Sequence, residues 1–366
     1  MKKAYRYRLY PTREQAALLQ QQLDVAREVY NACLEERREA YRMYGVKLNY
    51  YSQANQLKDI RRDRPDVAAA NFSMLQAVCR RAQRSFEAFF RRVAAGQEPG
   101  YPRFKSRARW DSVTFPSYGD GCKLKGERLS IQGVGTLKIK LHRPVGGPIK
   151  TVTLKRSCGT WYAVLACEVE VHPLPATGQD VGVDLGLIDF LVTDAGEAVP
   201  NPRPLRKAEE RLAQAQRSLQ RKKKGSHRRA KQRLRFARQC QRVANTRKDF
   251  HHKTALALVR ANDTIYHEDL AVRNMVQNHC LARSIHDAAW SLFIAILAAK
   301  AEEAGRMVIA VNPRGTSQTC VCGKPVPKDL SERWHHCPSC GLSLPRDQVS
   351  AMLIKGLGRS LQSHAA

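Results

Sequence analysis

Residues 3–9 alternate, with Lys3, Tyr5, Tyr7 and Leu9 on one side and Ala4, Arg6 and Arg8 on the other, the period-two pattern of a strand with one buried face. Pro11 ends that strand. Thr12 followed by Gln15 forms a capping-box pattern, and Ala16, Leu19, Leu23, Ala26, Val29, Tyr30 and Cys33 then recur at helical spacing, which predicts a long helix. Further helices are expected over about 51–61 and 70–93, the second carrying Leu75, Val78, Ala82, Phe86 and Phe89. At Gly100 the pattern shifts to short β-forming runs broken by Gly, Pro and Asp, among them TLKIKL, KTVTLKR and TWYAVLACEVEV. These runs predict a small β-barrel or sheet that takes in the first strand, with the helices inserted between strands.

Residues 172–179, HPLPATGQ, look like a linker. Beyond them strands alternate with helices: DVGVDLG, LIDFLVTDAG, a long basic helical stretch, NDTIYHEDL, a helix from Trp290 to Gly305, and RMVIAV. That alternation predicts an α/β domain.

Charge sharpens the picture. The 366 residues carry 63 Lys and Arg against 33 Asp and Glu, a formal net charge of +30 that repels itself unless a polyanion neutralises it. Nucleic acid is the expected partner. A membrane is not, since no apolar run is seen to approach the ~20 residues a bilayer span needs. The N-terminus, MKKAYRYRLYP, lacks the apolar stretch of a signal peptide, so a cytoplasmic protein with reduced thiols is expected.

Two stretches concentrate the cations. Between Arg203 and Lys253 there are 19 Lys or Arg and only Glu209, Glu210 and Asp249 as acids, a density that like-charge repulsion disfavours unless phosphates supply the missing charge. Lys222, Lys223, Lys224, Arg228 and Arg229 are its candidate phosphate contacts. In YPRFKSRARW, Arg103, Lys105, Arg107 and Arg109 interleave with Tyr101, Phe104 and Trp110, pairing cations for phosphates with aromatics for base stacking.

Three carboxylates carry the chemistry. Asp184 lies in the apolar strand VGVDLG, where a buried charge costs several kcal/mol unless a cation or hydrogen bonds compensate it. Glu268 ends a second β-like run, and Asp347 opens the predicted helix RDQVSAMLIK, where the helix dipole favours an acid. Singly, each reads as an ordinary strand-end, surface or helix-start residue. Brought together by one α/β sheet, they form a pocket for two hard cations such as Mg²⁺, suited to phosphodiester hydrolysis. Asp189, Asp194 and Asp269 are neighbouring rivals for these roles.

Cys320, Cys322, Cys337 and Cys340 stand in two pairs, each followed by glycine, Gly323 and Gly341, as in a structural zinc ribbon. The first pair is one residue short of the usual spacing, and His335 or His336 could replace a ligand there.

These motifs in order, YRYRLYPTREQ, YPRFKSR, GVDLG, YHEDL with NMVQN, NPRGTSQTC, the cysteine pairs and RDQVSAMLI, resemble the TnpB (OrfB) family of bacterial insertion sequences, relatives of the type V CRISPR effectors. The resemblance implies an RNA-guided DNA endonuclease, with guide RNA from the transposon end, target DNA and the transposon itself as partners. It implies zinc in the ribbon and two Mg²⁺ ions at Asp184, Glu268 and Asp347, and association with the nucleoid when bound to DNA. It sets no oligomeric state.

The fold so implied is an RNase H-like, RuvC-type nuclease core (176–315 and 345–366) interrupted by a zinc ribbon (316–344). Ahead of it come a wedge β-barrel (1–10 and 100–175) and an inserted helical recognition domain (11–99). The chain departs from the family in its shortened cysteine pair, in Val349 and Ser350 where Asn and Ala are usual, and in Pro345 where an acid is common. The alternative is a guide-RNA-dependent DNA-binding or transposition accessory protein with weak or no cleavage.

Overall fold

The computed structural model describes residues 1–329 and 331–365. It divides into two compact units, Met1–Glu170 and Val171–Ala366.

The first unit begins on β1 (Lys2–Tyr10), which buries Tyr5, Tyr7 and Leu9 as its alternation requires. Thr12 caps α1 (Arg13–Tyr44): its hydroxyl accepts the Gln15 N–H at 3.2 Å, and its own N–H donates to Gln15 Oε1 at 3.1 Å. There follow α2 (Tyr50–Asp63), the one-turn α3 (Pro65–Ala68) and α4 (Phe72–Ala94). Six more strands complete an antiparallel sheet: β2 (Ser112–Phe115), β3 (Cys122–Lys125), β4 (Arg128–Ile131), β5 (Gly135–Lys140), β6 (Ile149–Ser157) and β7 (Thr160–Glu168). The order β2-β6-β7-β1-β5-β4-β3 puts the first strand at the centre, with all four helices inserted before the second. Among the described residues no ladder joins β2 to β3, so the expected barrel takes the form of a sheet with two ends. Leu19, Leu23 and Leu75 of the helices share one core with Leu129, Leu154 and Leu165 of the sheet.

The second unit contains β8 (Asp180–Leu185), β9 (Asp189–Thr193), β10 (Ala198–Pro200), α5 (Pro204–Gln220), α6 (His227–Ala261) and β11 (Thr264–Glu268). It continues with α7 (Val272–Met275), α8 (His279–Ala288), α9 (Trp290–Ala304), β12 (Met307–Val311), a hairpin of β13 (Trp334–His336) and β14 (Ser343–Pro345), and α10 (Arg346–Ala365). The sheet order is β10-β9-β8-β11-β12; β8, β11 and β12 pair in parallel, while β9 pairs antiparallel with both β8 and β10. Val181, Val183 and Ile265 face α6 and α9, packing with Ala255, Phe293 and Leu297. The alternate residues face α10, where Tyr266 packs on Ile354.

His279–Ala304 is long and apolar enough to cross a bilayer by length and composition. In the structure it is two helices, broken at Ala289 in the left-handed region (φ 52°), and the second buries Trp290, Phe293, Leu297 and Ala301 against the sheet.

Helix α10 lies unusually close to the sheet. A Cβ on Gly182 would fall 2.1 Å from the Ala351 carbonyl oxygen, and one on Gly358 would fall 2.1 Å from the Tyr266 ring, so only glycine permits either approach. Charge then fixes the helix lengthwise. Lys355 Nζ bonds Asp180 at 3.1 Å and Asp194 at 2.8 Å, while Arg359 grips Asp180 through Nε and Nη2, at 2.6 and 2.8 Å.

Candidate carboxylate and thiolate sites

Parallel pairing sets Thr264, Ile265, Tyr266 and His267 opposite Asp180, Val181, Gly182 and Val183, so the next position along brings Glu268 level with Asp184. By alternation both side chains lie on the α10 face, at the carboxyl ends of neighbouring strands. The helix runs opposite to β8, since Asp180 meets Lys355 and Arg359 while Gly182 meets Ala351. Two residues further along the strand, about 6.6 Å, correspond to about four helical residues at ~1.5 Å each. That arithmetic carries Asp184 to Asp347.

The electrostatics agree. Burial pushes the Asp184 carboxyl up to about 8, the negative charges of Glu268 and Asp347 add to the rise, and Arg346 opposes it. Glu268 is also raised by burial, against a hydrogen bond from the Thr316 hydroxyl. That hydroxyl has one proton and two acceptors, Glu268 Oε1 and the Pro313 carbonyl at 2.9 Å. A partly buried acid crowded by two others is an environment for cations.

Of the rivals, Asp194 is held by Lys355 and by the Gly182 N–H at 3.0 Å, and Asp269 is exposed. Asp189 sits on β9 beside Pro200. None of them is among the main charges acting on Asp184.

The four cysteines converge. Cys320, Cys322, Cys337 and Cys340 have all their sulfurs within 4.8 Å of one another, with Cys320 to Cys340 at 3.6 Å and Cys322 to Cys337 at 3.7 Å. Four thiolates ~2.3 Å from a tetrahedral zinc would be about 3.8 Å apart, so donor type and size both fit that metal. The short pair makes a tighter turn: Gly323 N–H bonds the Cys320 carbonyl, whereas Gly341 N–H reaches back four residues to Cys337, each at 2.9 Å. Both glycines have positive φ, 81° and 73°. Neither histidine is needed as a ligand. His335 is wholly buried beside Lys328, and His336 stands exposed on β13.

The basic residues sort differently. Lys222, Lys223, Lys224 and Arg228 are exposed around the turn from α5 to α6. Arg229 is occupied, donating to the Leu219 carbonyl at 3.0 Å and the Lys222 carbonyl at 2.8 Å and so closing that turn. In the first unit Asn31 holds the Lys105 backbone at 2.8 and 3.1 Å, and Arg107 pairs with Asp24 at 2.8 Å. Arg103 is exposed, Phe104 lies under Arg38, and Trp110 is buried against Tyr30 rather than offered for stacking. Sequence reasoning missed Thr316 and Arg346 as neighbours of the carboxylates. Thr316 lies in NPRGTSQTC, a segment singled out without a role for this residue.

A mixed five-stranded α/β core with an acidic strand-end cluster and a four-thiolate ribbon ahead of its last helix defines the class. The chain belongs to the TnpB (OrfB) family. A family model described as "Probable transposase" matches residues 164–279, a "Cas12f1-like, TNB domain" model matches 290–354, and a "Helix-turn-helix domain" model matches 1–45. That last stretch here holds β1 and one continuous helix. A relative from Streptomyces pristinaespiralis named "Putative RNA-guided DNA endonuclease" is 34% identical, with 98% of this chain and 90% of the relative covered. An Escherichia coli relative of the same description, InsQ, is 29% identical over 98% of this chain and 92% of its own length. The fold resembles that of the mini-RNA-guided endonuclease CRISPR-Cas phi3, with a TM-score of 0.56 at 9% identity, covering 98% of this chain and 92% of that one.

Proposed function

We propose that this protein is an RNA-guided DNA endonuclease that hydrolyses phosphodiester bonds at one RuvC-like site formed by Asp184, Glu268 and Asp347. The observation that carries the reading is the crowding of Asp184 by Glu268, at the end of the adjacent parallel strand, and by Asp347, in the first turn of α10. Two Mg²⁺ ions bound there would supply an activated water and charge stabilisation for the leaving oxygen. The protein's own part is to hold three carboxylates on a helix and sheet locked together by Gly182, Gly358, Lys355 and Arg359. The Thr316 hydroxyl orients Glu268. The names of the relatives and the +30 charge support guide RNA and target DNA as partners. Structural zinc at the four cysteines and a cytoplasmic location belong to the same proposal.

The test is co-expression with the native transposon end, recovery of bound RNA, and Mg²⁺-dependent cleavage of a matching plasmid by wild type and Asp184→Ala. Cutting that survives the substitution overturns the site. Absence of copurifying RNA overturns the guide. A second reading, guided DNA binding with weak or no cutting, is favoured by Val349: an apolar, buried side chain two residues after Asp347 offers the metal site no polar support. RNA-dependent target binding by a wild type that does not cut would select it.

A further inference from the structure

The ribbon and the acidic cluster meet at one side chain. β14 runs into α10 with no intervening linker, so Asp347 is the second residue of the helix that the ribbon hairpin delivers. The Arg346 N–H donates to the Arg333 carbonyl at 2.9 Å, extending the β13–β14 ladder by one rung beyond the Trp334–Pro345 pair. Its side chain then turns back. Nη1 donates to the carbonyls of Asp329 and Glu332, each at 3.3 Å, while Nε lies 3.3 Å from Asp347 Oδ1. The side chain as a whole is only 14% exposed; its contact with Asp347 is partly buried, and its two carbonyl bonds lie at the solvent boundary. Arg346 is also the cation that offsets the two acids acting on Asp184.

A guanidinium can span a carboxylate and two carbonyls because its donors are fixed in a planar fork, which a lysine ammonium cannot reproduce. We propose that Arg346 is a positioning residue through which the folded thiolate ribbon fixes the first turn of α10, so that metal occupancy of the ribbon and divalent-cation binding at the carboxylates are energetically coupled. This rests on the reading of Asp184, Glu268 and Asp347 as cation ligands. The coupling is reciprocal, as linkage requires.

The test uses the full chain and Ca²⁺, followed by titration calorimetry without cleavage, beside zinc content and thermal melting. Arg346→Gln is expected to keep its zinc and a cooperative melt but to bind Ca²⁺ about 10- to 100-fold more weakly, as loss of a group orienting a ligand does. Arg346→Lys, which retains the charge and guards against misfolding of the first variant, should fall between. Cys340→Ser should weaken Ca²⁺ binding in the wild-type background and add little in the Arg346→Gln background, because the route is already cut. Ca²⁺ affinity within twofold of wild type in both Arg346 variants, or effects of Cys340→Ser and Arg346→Gln that multiply independently, would overturn the proposal. If Ca²⁺ binding is instead indifferent to Asp184→Ala, it is the carboxylate site that fails.

Discussion

Glu268 stands across from Asp184, one step past the last paired rung of β8 and β11, where His267 lies opposite Val183. Adjacent strands are only about 4.8 Å apart, so neither carboxylate can ionise without the other responding. Residues that act as one unit lose their joint effect when either is removed. Asp184→Ala and Glu268→Gln should therefore each lower single-turnover cleavage at least about 100-fold, roughly 2.7 kcal/mol of transition-state stabilisation. The double variant should be scarcely worse, with target binding unchanged. Independent, multiplying losses would mean that the two do not share a site.

The Asp184 carboxyl should cost the metal-free protein stability as pH rises. The unfolded chain releases the Asp184 proton near 4, whereas the folded protein keeps it until about 8. Across that interval the native state binds the extra proton, so the cost of the buried group is absent below about 4, grows through the interval and is complete above about 8. Glu268 shifts in the same direction. Buried His251 is pushed down to about 4 and acts below pH 6.5, whereas the Cys337 thiol, lowered to about 6 by backbone hydrogen bonds, adds stability with rising pH across the same window, so the acid contribution is read as the difference between wild type and Asp184→Asn. Relative to Asp184→Asn, the wild type should lose melting temperature between pH 6.5 and 8, and Ca²⁺ should raise wild-type melting more at pH 8 than at 6.5. Parallel wild-type and Asp184→Asn profiles would mean that Asp184 ionises freely.

What the chain revealed in advance were features written locally. The alternation of Tyr5, Tyr7 and Leu9 gave β1, and Thr12 with Gln15 gave the start of α1, because periodicity and capping depend on residues a few places apart. The four-residue strands β2, β3 and β4 are too short to establish a period. Ala289 ends α8 in a left-handed conformation for which alanine carries no sequence signal. Separating Asp184 from Asp194 required Lys355, 161 residues from Asp194 along the chain, whose ammonium neutralises the rival. Thr316 and Arg346 were likewise hidden, since each acts through bonds to distant backbone or carboxylate groups.

Gly182→Ala tests the helix–sheet contact that carries Asp347. The new methyl would meet the Ala351 carbonyl, a backbone atom that cannot rotate away, so α10 must shift. Overpacking of this kind costs about 1–3 kcal/mol. Denaturant melts should show that loss together with weaker Ca²⁺ binding, because the displaced helix bears the third carboxylate. Full stability and unchanged binding would show that α10 has room for the methyl without moving Asp347.

The ribbon should hold one zinc despite its short first pair. The observed 3.6 and 3.7 Å sulfur separations are already close to those of a tetrahedral thiolate site, so little reorganisation accompanies binding. Elemental analysis should return about one equivalent per chain, and a chelator should lower the melting temperature because metal binding stabilises only the folded ligand set. Cys322→Ser should lose the metal as fully as Cys337→Ser. Less than about half an equivalent in folded protein would exclude the four-thiolate site.

Lys222 to Lys224 and Arg229 share a stretch of sequence but should respond oppositely to mutation. The three lysines are exposed and lie at a helix turn, so replacing them with alanine should leave folding intact and weaken nucleic-acid binding. Each lost phosphate contact should flatten the salt dependence by about 0.7–0.9 in the slope of log K against log salt. Arg229 instead donates to two carbonyls at the end of α5, and Arg229→Ala should loosen the hairpin by about 1–3 kcal/mol while leaving that slope nearly unchanged. Binding titrations between 50 and 200 mM salt, paired with melts of both variants, separate the roles. A salt slope that drops for Arg229→Ala and stays fixed for the triple lysine variant would reverse the assignment.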